Sequence, residues 1–145
     1  MKQEVKKTEL AGFTQEFLKK IKPNENGATV VALRGNLGAG KTSFTQCIAK
    51  EFGITEDITS PTFVIQKRYE ISGNENFYYL IHIDAYRLND SHELAVLGWE
   101  KLLENPKNII FIEWPGIVGD ILPKGVITVS FSVSGEESRE IDVEY

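Results

Sequence analysis

The sequence predicts an α/β fold in which helices flank a mixed, mostly parallel sheet with antiparallel hairpins at its edges. Two runs, residues 28–33 and 109–112, are apolar apart from Thr29, as expected of strands covered on both faces of a parallel sheet. A glycine-rich loop joins the first run to a stretch with helical spacing, and such strand–loop–helix units build parallel sheets. Paired strand-like segments within residues 64–83 and 127–145 predict the hairpins.

The bulk composition is that of one globular domain. We expect a single domain over residues 1–145, with hydrophobic residues at 41% and charged residues at 26%, ordinary values for a folded protein. No apolar run approaches the roughly 20 residues that span a bilayer, and the charged residues 1–7 do not resemble a secretory signal. We therefore expect a cytoplasmic protein with no membrane contact.

The balance of acidic and basic residues disfavours direct binding of nucleic acid. There are 16 basic and 21 acidic residues, whereas a broad nucleic-acid surface depends on clustered lysine and arginine. Any role in RNA chemistry is therefore expected to run through protein partners.

Three helices are predicted from apolar spacing and end signals. The first begins at Thr8, a suitable N-cap residue, and breaks near Pro23. The second begins at Lys41 and ends at Gly53, and the third runs from Asp90 past a break at Gly98. Because the third leads into the run 109–112, we expect a crossover that sets this run parallel to 28–33.

The glycine-rich loop carries the most specific motif. Its residues match G-x-x-x-x-G-K-[ST] in full: Gly35, Asn36, Leu37, Gly38, Ala39, Gly40, Lys41 and Thr42. Glycines allow backbone N–H groups to face an anion, and the helix N-terminus, including Ser43, adds donors. Lys41 would reach the β and γ phosphates, and the Thr42 hydroxyl would bind Mg²⁺. The sequence thus predicts a P-loop NTPase-like domain.

A magnesium nucleotide site also needs an acid at a neighbouring strand end. Glu113 ends the run 109–112, and Asp84 follows Leu80, Ile81, His82 and Ile83 at the end of another predicted strand. Glu113 should emerge at the carboxyl edge of the sheet, beside the loop, and Asp84 is likewise a candidate at a strand terminus. Each could instead cap a turn or pair with a neighbour, so the direct metal ligand stays open between them.

Two further polar residues have two interpretations each. Thr62, within Ser-Pro-Thr-Phe at 60–63, lies where many P-loop proteins carry a switch segment that contacts the γ phosphate, but a Ser-Pro turn entering a strand explains the same residues. Arg139 shares strand parity with apolar Ile141. It either approaches the nucleotide or, as we favour, forms an ion pair at the rim.

His82 and Trp114 are equally open. His82 shares a strand face with Asp84 and could belong to a site or partner surface, although packing in the core or at the rim is favoured. Trp114 follows Glu113 directly and could contact a nucleotide or a partner, with plain packing as the alternative.

In order and spacing, these residues resemble the TsaE family, also called YjeE, the ATPase subunits in threonylcarbamoyl-adenosine formation on tRNA. The resemblance rests on residues 33–42, 60–63, 82–88 (HIDAYRL), 93–99 and 112–115 (IEWP). It implies ATP binding, slow hydrolysis, Mg²⁺, and a complex with TsaD and TsaB, which carry the transfer chemistry and bind the tRNA. By residue, it implies phosphate and metal contacts from Lys41 and Thr42, Glu113 as the metal-side acid, Asp84 near the phosphates, and nucleotide contacts from Thr8 and Arg139.

The leading hypothesis is an ATPase subunit, expected to be a monomer alone, whose nucleotide state controls binding to a tRNA-modifying complex. Glu113 or Thr62 would orient the attacking water. The rival hypothesis is a small-molecule kinase of the P-loop class. Such enzymes usually close an arginine-bearing lid over the phosphate that is transferred. The four arginines, at 34, 68, 87 and 139, lie in no stretch free to form one. A guanine-specific switch is disfavoured because no N-K-x-D segment occurs.

Overall fold

The computed structural model describes residues 2–36, 38–56, 58, 66–85, 91–96, 98–113 and 121–145. Within these residues, seven strands and four helices follow one another in this order: β1 Lys2–Lys6, α1 Leu10–Lys20, β2 Thr29–Arg34, α2 Lys41–Glu51, β3 Gln66–Glu70, β4 Tyr79–Asp84, α3 Ser91–Val96, α4 Trp99–Glu104, β5 Asn108–Glu113, β6 Ile127–Val133 and β7 Ser138–Glu144. A 3-10 turn over Lys7–Glu9 joins β1 to α1. In the described ranges, no helix has the length and apolar character needed to cross a membrane.

All seven strands belong to one sheet in the order β1-β7-β6-β2-β5-β4-β3. The central strands β6, β2, β5 and β4 pair in parallel, whereas the β3–β4, β6–β7 and β1–β7 pairings are antiparallel. Consequently β3 and β7 run against the other five strands. This confirms the predicted mixed, mostly parallel α/β sheet with antiparallel edge hairpins.

The strand that leads into the glycine-rich loop is buried on both faces. Val31 and Leu33 of β2 belong to the core layer beneath α1 and α2, and Val30 and Ala32 belong to the layer that contains Trp99 of α4. The continuous apolar run in β2 is therefore explained by two covered faces.

Aromatic packing fixes the start of α2 on the sheet. The ring of Phe44, fully buried, lies 5.3 Å from that of Phe17 in α1 and 6.2 Å from that of Phe111 in β5, between ring centroids. Loss of such a ring costs about 3–5 kcal/mol of stability. Because Phe44 is less than one helical turn from Lys41, this packing also positions the lysine.

The N-terminal region differs from the prediction in two ways. Strand β1 was not predicted, because Val5 is its only apolar residue; Val5 is buried and pairs with Arg139 of β7. The expected N-cap at Thr8 is wrong. The chain forms a 3-10 turn there, and the side chain of Glu9 accepts a hydrogen bond from the Lys6 backbone N–H at 2.9 Å.

One glycine allows α4 and β2 to approach closely. The backbone N–H of Ala28 donates to the carbonyl of Leu103 at 2.8 Å. A Cβ on Gly27 would lie 2.5 Å from that same carbonyl oxygen. This contact ties the start of β2 to the end of α4.

Candidate nucleotide-phosphate site

The loop between β2 and α2 has the backbone that the motif predicts. Gly35 and Gly40 have φ values of 149° and 107°, in the region that favours glycine. A Cβ on Gly35 would also lie 2.8 Å from the carbonyl oxygen of Phe131. Gly40 is the N-cap of α2 and provides no side-chain cap. The first backbone N–H groups of an α-helix have no acceptor within the helix, and at α2 no N-cap side chain provides one.

This helix end faces a cavity of about 690 Å³, within the size range of small-molecule sites. The cavity brings together the following predicted site residues: Gly38, Gly40, Lys41, Thr42, Ser43, Asp84, Glu113 and Arg139. Gly35, Asn36 and Ala39 belong to the same loop but do not line the cavity. Leu37, Thr62 and Trp114 lie outside the described residues, so their predicted roles stay predictions.

The two acids occupy matching positions on neighbouring strands. Asp84 pairs with Glu113 in the parallel register of β4 and β5, and Glu113 pairs with Leu33 of β2. Both side chains line the cavity although their residues are only 4% and 3% exposed. The expectation that Glu113 emerges at the carboxyl edge beside the loop is confirmed, and the structure places Asp84 at the same edge.

Lys41 is a buried cation between the loop and the acids. Its residue is 4% exposed, and its ammonium donates a hydrogen bond to the carbonyl oxygen of Gly35. Burial lowers the pKa of Lys41 below its ordinary value, while the charges of Glu113 and Asp84 oppose that shift. A desolvated ammonium of this kind favours an anionic ligand that restores its lost solvation.

His82 contacts one of these acids. Its residue is 0% exposed, and its Nε2 lies 2.6 Å from Oε2 of Glu113. Its Nδ1 has no hydrogen-bond partner among the described residues. Packing in the core or at the rim was the favoured prediction, and the structure places the residue in the core. The sequence did not predict the Glu113 contact, because the two residues lie 31 positions apart.

Arg139 reaches the phosphate loop from β7. Its Nη1 donates to the carbonyls of Gly135 and Ser138 at 3.2 and 2.8 Å, and its Nη2 lies 3.4 Å from the carbonyl oxygen of Gly38. Within the described chain it forms no ion pair, so the favoured prediction of a rim ion pair is wrong. Main-chain carbonyls take the place of the expected acid.

Thr8 is exposed and is absent from the cavity lining in the described structure. Its neighbours Lys6 and Lys7 line the cavity instead, together with Glu136 and Glu137 of the β6–β7 connection, and the backbone N–H of Lys7 donates to the carbonyl of Glu137 at 2.7 Å. Sequence analysis missed these four residues, because no motif marks them. The pairing of β1 with β7 brings the lysines to the site, and the glutamates lie in the connection between β6 and β7. The nucleotide contact of Thr8 stays a prediction.

The donor set fits a magnesium ion shared with a phosphate ligand. The described residues contain no group of three or more histidine, cysteine or acidic residues that could hold a metal alone. Mg²⁺ is usually held by one or two carboxylates together with substrate phosphates and waters. Thr42, Asp84 and Glu113 line one cavity with the loop and provide oxygen donors of that kind.

Comparison with known proteins identifies the family. The family model described as "Threonylcarbamoyl adenosine biosynthesis protein TsaE" matches residues 6–141. The chain is 36% identical over 132 residues to the tRNA threonylcarbamoyladenosine biosynthesis protein TsaE of Rickettsia typhi, covering 90% of this chain and 85% of that protein. It is also 36% identical over 112 residues to the Bacillus subtilis protein of the same name, covering 77% of this chain and 66% of that protein.

A solved structure agrees with this result. The crystal structure of Bacillus subtilis YdiB superposes with a TM-score of 0.73 at 28% sequence identity, over 97% of this chain and 82% of that one. The matched residues 6–141 include the phosphate loop, both acids and Arg139. The chain belongs to the TsaE family.

Proposed function

We propose that this protein is an accessory subunit that binds ATP with Mg²⁺, hydrolyses it slowly, and is required for threonylcarbamoyl-adenosine formation on tRNA. It would act by nucleotide-controlled association with TsaD and TsaB. One observation carries the proposal: Lys41, the N-terminus of α2 and two buried carboxylates line a single cavity. The names of the two relatives support a role in tRNA threonylcarbamoyladenosine biosynthesis.

Binding of the triphosphate would use the backbone of the loop and the Lys41 ammonium. The N–H groups at the start of α2 point out of the helix and carry the positive end of its dipole. Lys41 would exchange its bond to the Gly35 carbonyl for a phosphate oxygen. Arg139, which contacts the Gly38 carbonyl, would hold the loop closed around the anion.

The metal would be held by the Thr42 hydroxyl together with Asp84 or Glu113. Bound Mg²⁺ would neutralise charge on the β and γ phosphates. The acid that does not bind the metal directly would hold one of its waters. Glu113 or Thr62 would orient the attacking water, and catalysis would consist mainly of positioning and charge stabilisation.

The partners are proposed to be proteins. The sequence has a formal net charge of −5, which disfavours direct tracking of the tRNA backbone. The tRNA would be contacted only through TsaD and TsaB, and ATP hydrolysis would reset the assembly.

A capture experiment tests this proposal. Immobilised protein is incubated with purified TsaB and TsaD without nucleotide, with ADP and with MgATP. We expect captured TsaB and TsaD to differ between nucleotide states by about fivefold or more, the lower end of typical allosteric coupling. Equal capture in all states would contradict nucleotide control, and no capture in any state would contradict the partner assignment.

A matched pair of lysine variants makes the test specific. Lys41→Ala removes the proposed phosphate contact, whereas Lys50→Ala removes an exposed lysine in the last turn of the same helix. The amount of TsaB and TsaD captured by Lys50→Ala should depend on the nucleotide state as it does for the wild type. Capture by Lys41→Ala should be independent of nucleotide.

A further inference from the structure

We propose that His82 is a positioning residue that holds the Glu113 carboxylate in place through its Nε2–H group, leaving the other carboxylate oxygen to face the cavity. The inference rests on the proposed function in one respect, the assignment of Glu113 to the hydrolytic site. The contact itself, 2.6 Å between His82 Nε2 and Glu113 Oε2, is independent of that assignment.

The sheet geometry sets His82 directly behind the acid pair. His82 and Asp84 lie on the same face of β4, because strand residues two apart share a face. His82 pairs in register with Phe111, one step before the Asp84–Glu113 pair. Its neighbours on this face, Leu80 and Phe111, belong to the buried core layer. The imidazole therefore lies between the apolar core layer on one side and the two carboxylates on the other.

Packing alone does not explain a histidine at this position. The residue is 0% exposed, and Nδ1 finds no hydrogen-bond partner in the described part of the chain. A buried polar atom without a partner costs stability, whereas an apolar side chain would fill the same layer without that cost. The compensating interaction is the single hydrogen bond to Glu113.

The bond constrains both partners. An ionised Glu113 is only an acceptor, so the bond requires the proton to reside on Nε2 of His82. With Oε2 fixed in this way, the carboxylate cannot rotate freely, and Oε1 remains for a metal, a metal-bound water or the attacking water. Glu113 lines the cavity and His82 does not. His82 therefore acts through Glu113 and does not touch a ligand in the cavity.

Three variants separate positioning from packing. His82→Leu removes the donor and retains an apolar side chain, whereas His82→Gln retains an amide donor. His92→Gln is the matched control, because His92 is the only other histidine in the sequence and is exposed on α3. Each variant is first checked by urea unfolding, so that kinetics are read on folded protein.

We expect His82→Leu to lower kcat for ATP hydrolysis about 10- to 100-fold, the usual effect of losing a group that orients a metal-site carboxylate. The Kd for ATP should stay within about threefold, because the loop contacts are intact. His82→Gln should recover most of the loss, and His92→Gln should behave as the wild type. Full kcat in His82→Leu, or equal loss in His82→Gln and His82→Leu, would overturn the proposal.

A double-variant cycle adds an independent criterion. If His82 acts only through Glu113, adding His82→Leu to Glu113→Ala should cause little further loss of kcat. Losses that multiply would mean that His82 acts by another route and would overturn the proposal.

A spectroscopic readout distinguishes failure of this inference from failure of the proposed function. In ¹⁵N-histidine-labelled protein, we expect an imidazole N–H signal that disappears in His82→Leu, shifts in Glu113→Gln and is unchanged in His92→Gln. If the wild type binds MgATP without hydrolysing it, the hydrolytic part of the proposed function is wrong, and this spectrum alone decides the inference. A His82 signal unaffected by Glu113→Gln would overturn it.

Discussion

Asp84 and Glu113 lie side by side in parallel register at the ends of β4 and β5, and both are almost fully buried. Two adjacent buried carboxylates repel each other unless a positive charge compensates them. Lys41 supplies such a charge, since its ammonium interacts electrostatically with both acids. The three side chains form a charged cluster. The attraction between the ammonium and the two acids offsets the repulsion between the acids.

Loss of the lysine should weaken nucleotide binding. Lys41→Ala removes the only buried ammonium among the cavity residues described, and a charge-assisted hydrogen bond contributes about 1.5–3 kcal/mol, which corresponds to about a 10- to 150-fold increase in Kd. Titration of MgATP by calorimetry measures the change. Lys50→Ala is the control, and unchanged affinity in Lys41→Ala would refute the phosphate-loop assignment.

Loss of either acid should impair hydrolysis more than binding. Asp84→Ala and Glu113→Ala leave the loop N–H groups intact, so Kd for ATP should change by less than about threefold while kcat falls at least about tenfold. Steady-state hydrolysis and equilibrium binding are measured on the same preparations. Glu144→Ala, at an exposed position on β7, is the control; full turnover in both acid variants means that the metal-side acid lies elsewhere.

Stability of the nucleotide-free protein should depend on the ionisation of Lys41. The pKa of Lys41 is lowered by burial from its ordinary value of 10.5. Between the lowered value and 10.5 the unfolded chain binds more protons than the native state, so the free energy of unfolding rises with pH in that window. Lys41→Met has no ammonium at this position, so this contribution to the pH dependence of stability is absent. The stability of the wild type relative to Lys41→Met should therefore increase as the pH rises toward 10.5.

Urea unfolding of both proteins across that range provides the measurement. Other lysines titrate in both proteins, so their contributions cancel in the difference. A difference that stays constant or decreases with pH would contradict the buried, destabilised ammonium.

Arg139 should support the phosphate loop through its planar guanidinium. It donates hydrogen bonds to three carbonyls, including that of Gly38. Arg139→Gln should raise the Kd for ATP about tenfold, and Arg139→Lys should not restore it, because an ammonium cannot reproduce the fork of donors. Arg68→Gln, at an exposed position on β3, is the control. Rescue by lysine would indicate a purely electrostatic role.

The same glycine-to-alanine change should have opposite effects at two positions. On Gly27 the new Cβ would lie 2.5 Å from the Leu103 carbonyl oxygen, whereas on Gly12 in α1 it would meet nothing within 4 Å. Gly27→Ala should destabilise the protein by about 1–3 kcal/mol, and Gly12→Ala should stabilise it by about 0.5–1 kcal/mol. Urea midpoints measure both, and a neutral Gly27→Ala would contradict the tight contact between α4 and β2.

Sequence alone predicted those parts of the site that rest on local signals. The loop motif, the apolar strand before it and the acids that end two strands all follow from spacing within short segments. The position of Glu113 beside the loop followed from a general rule, that parallel strands end at one edge of the sheet. The pairing of Asp84 with Glu113 was not predicted, because it depends on the register of β4 against β5.

The parts that were missed depend on long-range register. Val5 is a single apolar residue in a charged segment, so β1 left no alternating pattern, and Lys6 and Lys7 could not be assigned to the cavity. The contact between His82 and Glu113 requires the register of β4 against β5. The expected cap at Thr8 failed because local propensity was overridden by the 3-10 turn that leads out of β1.

A crystal structure with a non-hydrolysable MgATP analogue would show whether the loop between β2 and α2 binds a triphosphate through its backbone. We expect phosphate oxygens against the N–H groups of Gly38 to Ser43, with Mg²⁺ bound to Thr42 and next to Asp84 or Glu113. An analogue bound elsewhere, or a loop that excludes it at saturating concentration, would mean that this loop is not the phosphate site.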